Sequence, residues 1–302
     1  YVNLIQGGFK MRKGIQITLT VFMLAWGTSF ACDINGTSGI VEDNNLLIPV
    51  GAKSVGEVTE VKFNEILDKV EAIYAPVIEA KGKTLQVIRK WEDATVNAYA
   101  QQTGNVWKIS MFGGLARHDT ITADAFALVA CHELGHHLGG FPKKRSIWSS
   151  SWASNEGQSD YWGNMKCLRK FMEKDDNTAI VAQMTVPSEA TKRCQANFNN
   201  ADDLAMCQRG AMAGLSLGNL FKALRRLTVD LKFDTPDTTV ARTTNHSHPA
   251  PQCRLDTYFA GALCEQDAYT DVSNTNAATG VCVRNTHDDG IRPLCWYKPK
   301  AD

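Results

Sequence analysis

The sequence predicts an α+β protein in which a small, mostly antiparallel sheet packs on a helical core. Three observations indicate this class. Short runs of β-branched and aromatic residues between positions 85 and 112 are typical of strands. Longer segments on either side, 58–80 and 201–227, repeat apolar residues at helical spacing. Between these segments, histidines and carboxylates recur four residues apart, which places each pair on one face of a helix.

The N-terminal residues have the composition of an export signal. Met11 begins a positively charged stretch, an apolar stretch follows it, and small residues precede Cys32. We expect residues 1–10 to be upstream translation and residues 11–31 to be a signal peptide, with an uncleaved membrane anchor as the alternative. Bacterial lipoproteins carry their lipid at the position of Cys32, although Ser29 stands where leucine is usual. A lipid tether at Cys32 and an unmodified Cys32 both remain open.

The charge balance excludes one class of partner. The 302 residues contain 32 basic and 32 acidic side chains. Residues 1–31 contain three of the basic residues and no acidic one, so the rest of the chain is slightly acidic. Because nucleic-acid binding needs a basic surface, we expect no nucleic-acid partner. The length suffices for one large domain or two small ones, and the composition does not indicate an oligomeric state.

The nine cysteines suit an exported protein, because disulfides persist in oxidising compartments. Cys194 and Cys207 are a candidate pair. Cys131 is either a buried thiol or a disulfide partner, and Cys167 is a possible partner for it. The chain has no Cys-x-x-Cys pair, which disfavours a zinc site built from cysteines. Four cysteines near the C-terminus predict a disulfide-stapled tail over residues 266–302: Cys253, Cys264, Cys282 and Cys295.

The first part of the chain divides by composition. Residues 32–55 are rich in Gly, Asn and Ser and predict a tether, after which we expect one catalytic domain over residues 56–265. The helix predicted over 58–80 contains Pro76, which could kink it. Three strands are predicted at 85–91, 95–100 and 106–112.

An apolar, Ala-rich run predicts a helix over residues 122–138. The Thr122 hydroxyl can cap its first turn, and Gly139-Gly140 can end it, since glycine adopts the left-handed conformation that follows many helices. A helix of this composition is mostly buried.

His132, Glu133 and His136 on this helix form the pattern H-E-x-x-H. Both imidazoles lie on one face and can reach one Zn²⁺, while Glu133 can act as general base toward a water at the open coordination position. The alternative is a surface helix with incidental histidines. The apolar surroundings disfavour that alternative, because buried histidine and glutamate need partners.

Glu156 and Asp160 follow, the first of them twenty residues after His136. Glu156 would complete a His2Glu set and leave one zinc position open to water. Asp160 could accept a hydrogen bond from a ring nitrogen of one histidine ligand and so select its tautomer. The second ligand helix is predicted over residues 152–172, and the alternative for both carboxylates is a solvated helix face.

With these motifs at this spacing, the chain resembles the gluzincin metallopeptidases, thermolysin included. Its other motifs are similar to those of the HtpX and CaaX-prenyl-protease branch. They are Asn97-Ala98, a strand before Gly114-Leu115, and His248-Pro249 followed by Arg254. The resemblance covers roughly residues 60–260. Two features depart from the branch: the region after residue 31 has no apolar membrane span, and the spacing from His136 to Glu156 is shorter than usual.

The resemblance implies a zincin-like fold and zinc-dependent peptide hydrolysis. It implies that the last strand before the zinc helix, residues 106–112, is an edge strand that pairs with extended substrate. It also implies that His248 and Arg254 return to the site, where they could stabilise an oxyanion or orient Asp160 or Glu156. His248 could instead occupy the open zinc position and keep the enzyme latent, or be an exposed loop residue.

The remaining segments are less informative. Residues 141–154, basic and rich in Ser and Trp, are predicted to form a loop between the two ligand helices, either a solvated turn or a substrate lid. Beyond residue 172 we expect short helices at 173–200, one or two core helices at 201–227, a loop at 235–251 and a short helix at 254–264.

The sequence therefore predicts an exported zinc metalloendopeptidase that acts on peptide or protein substrates, in the periplasm, at the outer membrane or outside the cell. Two other functions remain open. One is an envelope zinc protein with a chaperone or quality-control role and latent proteolysis. The other is a zinc amidase that acts on cell-wall peptide, against which the lack of an obvious glycan-binding repeat argues.

Overall fold

The computed structural model describes Tyr1 and residues 39–52, 56–145 and 150–299. All described residues from 39 onwards belong to one compact unit. The predicted signal peptide and Cys32 lie outside the described residues. Among the described helices, none is both long and apolar enough to cross a bilayer.

A three-stranded sheet is formed by β1 (Thr84–Lys90), β2 (Ala98–Thr103) and β3 (Val106–Phe112). The strand order is β1-β3-β2, with β1 parallel and β2 antiparallel to β3. The prediction that Val106–Phe112 is an edge strand is therefore wrong. A two-residue turn with Gly104 at a φ of 59° folds β2 back onto one side of β3, and β1 takes the other side. The two edge strands of this sheet are β1 and β2.

Three helices surround this sheet in the first half of the chain: α1 (Glu60–Glu79), α2 (Gly113–Ala116) and α3 (Ala123–Leu138). Helix α1 runs through Pro76 and packs against β1 and α3. The predicted cap of α3 is confirmed, since the Thr122 hydroxyl accepts a hydrogen bond from the Ala125 amide at 3.2 Å. The helix ends at Leu138, and the left-handed residue that follows is Gly140, with a φ of 75°. Nearly every residue of α3 is buried.

The segment after α3 is a β-hairpin rather than the predicted loop. Strands β4 (Lys143–Arg145) and β5 (Ser150–Ser154) pair antiparallel. The predicted second ligand helix therefore starts four residues later than expected. Asn155 caps it by accepting from the Gln158 amide at 2.9 Å, and α4 begins at Glu156.

Helix α4 (Glu156–Trp162) continues as a π-helix (Gly163–Leu168) and then as α5 (Arg169–Met172). It crosses α3 at very short range. A Cβ added at Gly135 of α3 would lie 3.0 Å from the Ser159 backbone, so a side chain there would push the two helices apart by a few tenths of an ångström. This close approach brings the ligand residues of both helices together.

The second half of the chain is helical, as predicted. Its elements are α6 (Asn177–Val181), α7 (Ser188–Asn197), α8 (Ala201–Leu224) and α9 (Pro251–Leu263). Residues 201–227 contain one long helix rather than two. Helix α8 packs against α3 and α9, and its Arg209 makes two hydrogen bonds to Asp124 at the start of α3, at 2.9 and 2.6 Å.

In the part of the chain that the structure describes, eight cysteines form four disulfides. Cys131–Cys167 joins α3 to the π-helix, and Cys194–Cys207 joins α7 to α8. Cys253–Cys295 and Cys264–Cys282 attach the C-terminal tail to α9 and its end. The predicted pair Cys194–Cys207 and the stapling of the tail are confirmed, and of the two possibilities for Cys131, the disulfide to Cys167 is the one formed.

Residues 39–48, predicted to be part of a tether, instead pack along the β2 side of the sheet. The Ile40 amide donates to the Ala98 carbonyl at 3.1 Å, and Leu47 forms an antiparallel bridge with Thr95. The Ile40 side chain is fully buried. Composition predicted a loose segment here because it does not reveal long-range pairing.

Removing Cys131–Cys167 is expected to destabilise the fold. The double substitution Cys131→Ala/Cys167→Ala should lower the free energy of unfolding by about 3 to 4 kcal/mol, since the disulfide constrains a long loop of the unfolded chain. Urea unfolding of the oxidised protein measures this change. Cys194→Ala/Cys207→Ala is the control, because it opens a shorter loop between α7 and α8 and should cost about 3 kcal/mol or less. Unchanged stability in the first variant would contradict the expectation.

Candidate metal centre

Helices α3 and α4 bring three potential metal ligands together. Residues His132 and His136 lie one turn apart on α3, with ring centroids 4.8 Å apart and ring planes nearly perpendicular. Glu156, the first residue of α4, faces both rings. Its Oε2 lies 3.2 Å from His132 Nε2 and its Oε1 lies 3.8 Å from His136 Nε2. These three residues can hold a metal ion, since one ligand atom from each lies within 4.8 Å of the others.

Polar atoms at this centre lack ordinary hydrogen-bond partners. His132 Nε2, His136 Nε2 and both carboxylate oxygens of Glu133 are buried without one. Buried polar atoms are nearly always satisfied, so several unsatisfied ones that converge on one point need an explanation. A cation between the two nitrogens and Glu156 would satisfy the imidazoles, and two imidazoles with one carboxylate are a common metal-binding set. The residues present fit a metal ion.

The opposite ring nitrogens select the tautomer that metal binding needs. His132 Nδ1 lies 2.7 Å from Asp160 Oδ1, and His136 Nδ1 lies 2.9 Å from the Ser154 carbonyl oxygen. Both partners can only accept when Asp160 is ionised, so each Nδ1–H donates. In the neutral form of each histidine, which is the form that binds metal, the lone pair is therefore on Nε2, the nitrogen that faces Glu156.

Asp160 is held as an anion by its neighbours. Arg254 on α9 donates from Nε to Oδ2 and from Nη2 to Oδ1, both at 2.8 Å, and the Tyr258 hydroxyl donates to Oδ1. Burial desolvates the Asp160 carboxylate, which raises its pKa, but Arg254 and His132 outweigh this effect and lower the pKa to about 2. The guanidinium of Arg254 thus orients Asp160, which is one of the roles that the resemblance implied.

Carboxylates also favour positive charge on His132. Burial lowers the pKa of this imidazole, but Asp160 and Glu156 outweigh the desolvation and raise the pKa to about 9. At His136, burial outweighs the effect of Glu156 and lowers the pKa of the imidazole well below the ordinary value. A cation between His132, His136 and Glu156 would therefore be stabilised directly by the Glu156 carboxylate. Asp160 would stabilise it through His132, because it binds the opposite ring nitrogen.

Glu133 has the environment of a general base. Its side chain is fully buried beside the three ligands. Desolvation is the largest influence on the carboxylate; His132 opposes it, Glu156 adds to it, and the pKa rises to about 8. A carboxyl group with a pKa near neutrality can both accept and release a proton under ordinary conditions.

A lysine and a histidine side chain lie against Glu156. Lys144 Nζ of β4 is 2.7 Å from Oε1, and His248 Nε2 is 3.2 Å from Oε2. Desolvation by burial acts to raise the pKa of Glu156, but His248, Lys144 and His136 outweigh it and hold the pKa well below its usual range. His248 thus reaches the centre. Lys144 was missed by sequence reasoning, and the only signal for it was the basic run between the two ligand helices.

His137, the residue after the second histidine of the motif, has a structural role. Its ring stacks between Trp107 of β3 and Trp152 of β5, with centroid distances of 5.1 and 4.8 Å. Its Nε2 donates to the Lys108 carbonyl at 3.1 Å, and burial lowers its pKa to about 4. The neutral ring therefore joins the hairpin to the sheet next to the metal ligands.

The described residues include a second cluster of metal-ligating types, formed by Asp237, Cys253 and Cys295. Its two cysteines form a disulfide with each other, so their sulfurs cannot act as thiolate ligands. This cluster therefore does not make a metal site.

The centre is closed to solvent. His132, Glu133, His136 and Glu156 are each at most 1 % exposed, and His248 is the most exposed side chain at the centre after Lys144. Two segments approach the centre. Residues 39–41 bind His248 and Arg254, and the β4–β5 hairpin reaches Glu156 through Lys144. The tip of this hairpin, residues 146–149, lies outside the described residues. A substrate can reach these groups only if part of this cover moves.

Asp160→Asn is expected to weaken divalent-metal binding about 10- to 100-fold. The neutral amide would no longer favour positive charge on His132, and it can present a donor to His132 Nδ1. Metal titration with a chromogenic competitor measures the dissociation constant. Asp203→Asn, at an exposed position on α8, is the control and should leave the affinity unchanged. Equal affinities in all three proteins would show that Asp160 does not support the ligand.

Lys144→Met is expected to tighten metal binding by about tenfold, because its ammonium competes with the metal for the same Glu156 oxygen. The same titration measures the effect. Lys143→Met is the matched control, since its Nζ lies 3.4 Å from the Ser154 hydroxyl and its charge acts on His137. A weaker affinity in Lys144→Met would mean that the lysine supports the site.

No protein-family model matches this chain, and neither a curated protein nor a solved structure matches it. The resemblance to the gluzincins therefore rests on the sequence motifs alone.

Proposed function

We propose that this chain is an exported zinc-dependent metallopeptidase. One observation carries the proposal. The imidazole nitrogens of His132 and His136 converge with the Glu156 carboxylate, and beside them lies the buried Glu133 carboxylate, which has no hydrogen-bond partner. Three ligands leave one position for water or substrate, and the extra carboxylate is placed to exchange protons there. A purely structural metal site would not need Glu133.

The donor types favour zinc over other divalent metals. Two imidazole nitrogens with one carboxylate suit Zn²⁺, whereas Mg²⁺ and Ca²⁺ prefer sites built from oxygen alone. His132, His136 and Glu156 would hold the ion. When bound, zinc supplies Lewis-acid polarisation of the scissile carbonyl and makes water more acidic.

The protein groups perform the proton transfers and the positioning. Glu133 accepts a proton from the attacking water and passes it to the nitrogen of the leaving amine. Asp160 and Arg254 keep His132 in position during the reaction through their buried ion pair. Burial of the whole centre strengthens these electrostatic effects, since little water screens them.

The substrate that fits this site is an extended peptide paired with β2. The Ala98 carbonyl points away from β3, because it accepts a hydrogen bond from Ile40 on its outer side. The backbone groups of Ala100, two residues further on, point the same way. Main-chain pairing at such an edge recognises peptides with little dependence on their side chains.

Export is supported by the disulfides. Four of them form within the described residues, and such a number is typical of secreted or periplasmic proteins. The export signal and a lipid on Cys32 fall outside the described residues and belong to the proposal.

The closed centre favours a second candidate, an envelope zinc protein whose main role is that of a chaperone or quality-control factor, with latent proteolysis. The ligands and Glu133 are almost inaccessible, so peptide hydrolysis needs an opening step. A Glu133→Gln variant that keeps full biological activity would favour this candidate over the peptidase.

Glu133→Gln is expected to bind one equivalent of zinc and to lose at least about a thousandfold in peptide hydrolysis, because the water loses its base. Glu156→Ala should lose tightly held zinc as well as activity. Metal analysis and hydrolysis of casein and of cell-wall peptides, measured in parallel with wild type, test both expectations. Full activity and stoichiometric zinc in Glu156→Ala would overturn the ligand assignment, and cleavage of cell-wall peptides alone would indicate an amidase.

A further inference from the structure

We propose that the outer edge of residues 96–98 is a binding site for extended peptide and that residues 39–44 of the same chain occupy it. In this position the segment covers the metal centre and keeps it inactive until the segment moves. The role in catalysis rests on the proposed peptidase function, whereas the binding site does not.

The segment binds through main-chain groups, as a separate peptide would. The Ile40 amide donates to the Ala98 carbonyl at 3.1 Å. Asn97 supplies the neighbouring pair of bonds from its side chain, which accepts from the Val41 amide at 3.4 Å and donates to the Val41 carbonyl at 3.2 Å. This amide side chain reproduces the donor and acceptor of a strand backbone, so the site recognises an extended chain.

The pairing runs antiparallel along the edge. After Ile40 opposite Ala98, the segment continues to Leu47, which forms an antiparallel bridge with Thr95. Between them, the Asn44 side chain donates to the Val96 carbonyl at 3.1 Å. The segment thus follows the chain that leads into β2 and reaches Ala98, the first residue of β2, where it overlaps with the place that we propose for the substrate.

Two successive carbonyls connect the segment to the metal centre. The Gly39 carbonyl accepts from His248 Nε2 at 2.8 Å, and this same nitrogen lies 3.2 Å from Glu156. The Ile40 carbonyl accepts from Arg254 Nη1 at 2.6 Å, and Arg254 holds Asp160. His248 and Arg254, which the resemblance implied would return to the site, therefore both bind the occupying segment.

The side-chain requirements of the site can be read from its occupant. A Cβ at Gly39 would lie 2.2 Å from Asn97 Oδ1 and 2.5 Å from the Ala98 carbonyl oxygen, so only glycine fits there. Ile40 and Val41 are buried, at 0 and 5 % exposure, whereas the next two residues, Glu42 and Asp43, are exposed. The site therefore takes a glycine followed by two β-branched residues.

Residues 41–44 are not packed tightly against α8. A cavity of about 90 Å³ separates the segment from α8, and its walls include residues 41–44 on one side and Phe221 and Leu224 on the other. Such a gap forfeits packing contacts that the segment would otherwise make. The adjoining Leu46 and Leu47 are 39 and 63 % exposed, so the buried apolar contacts of the segment are confined to Ile40 and Val41.

Gly39→Ala tests the proposal, since its methyl group cannot fit while the segment is seated. The probe is a fluorescent synthetic peptide with the sequence of residues 39–44, and its binding is followed by anisotropy in the Glu133→Gln background. We expect Gly39→Ala to bind this peptide at least about tenfold more tightly than the protein with Gly39. With zinc and an intact Glu133, kcat/KM for casein peptides should rise at least about tenfold.

Gly82→Ala is the matched control. Gly82 has a φ of 70°, so the substitution strains the backbone, but no atom lies within 4 Å of the added Cβ and the position is in the turn between α1 and β1. It should lower the melting temperature without changing peptide binding. Equal peptide binding in Gly39→Ala and in the protein with Gly39, or an equal gain in Gly82→Ala, would overturn the proposal.

Failure of the peptidase function gives a different result. If no variant hydrolyses peptide but Gly39→Ala still binds the probe more tightly, the binding site stands and the peptidase function does not. If Gly39→Ala does not fold, Ile40→Gly replaces it, since that variant removes the buried anchor and keeps the backbone of the segment. The same tenfold criterion then decides, and a folded Ile40→Gly without increased binding would refute the inference.

Discussion

The buried carboxylate of Asp160 is the group on which the rest of this centre depends. It accepts from His132 on α3 and from Arg254 and Tyr258 on α9, and Arg254 in turn binds the Ile40 carbonyl. A buried charge is tolerated only when such partners compensate for its desolvation, and loss of one partner costs about 3 to 5 kcal/mol. One ion-pair network therefore couples His132 to α9 in the second half of the chain and to the segment around Ile40.

Around this network, the backbone is arranged to keep two helices unusually close. The absence of a side chain at Gly135 lets α4 approach α3, and Cys131–Cys167 joins the two chain segments a short distance away. The separation between the histidines and Glu156 is consequently set by rigid helices and not by loops. A site built in this way is preorganised, which is what metal binding and proton transfer require.

Local patterns in the sequence were reliable wherever a single helix determined the outcome. The cap at Thr122 and the shared face of the α3 histidines follow from helix geometry, and both are present. Predictions that depended on partners elsewhere in the chain were weaker. The second ligand helix was predicted to begin before Asn155, because the apolar and aromatic residues of β5 resemble a helix start when its hairpin partner is not known.

By itself, the sequence determined which residues can bind a metal, because the spacing of His132 and His136 brings their side chains to one side of any helix that contains them. The tertiary structure decided what surrounds those ligands. It placed β3 in the centre of the sheet, brought Lys144 to Glu156 and laid residues 39–44 over the site. These contacts join segments far apart in the chain, and their register depends on the packing of the whole core, which no local spacing of residues encodes.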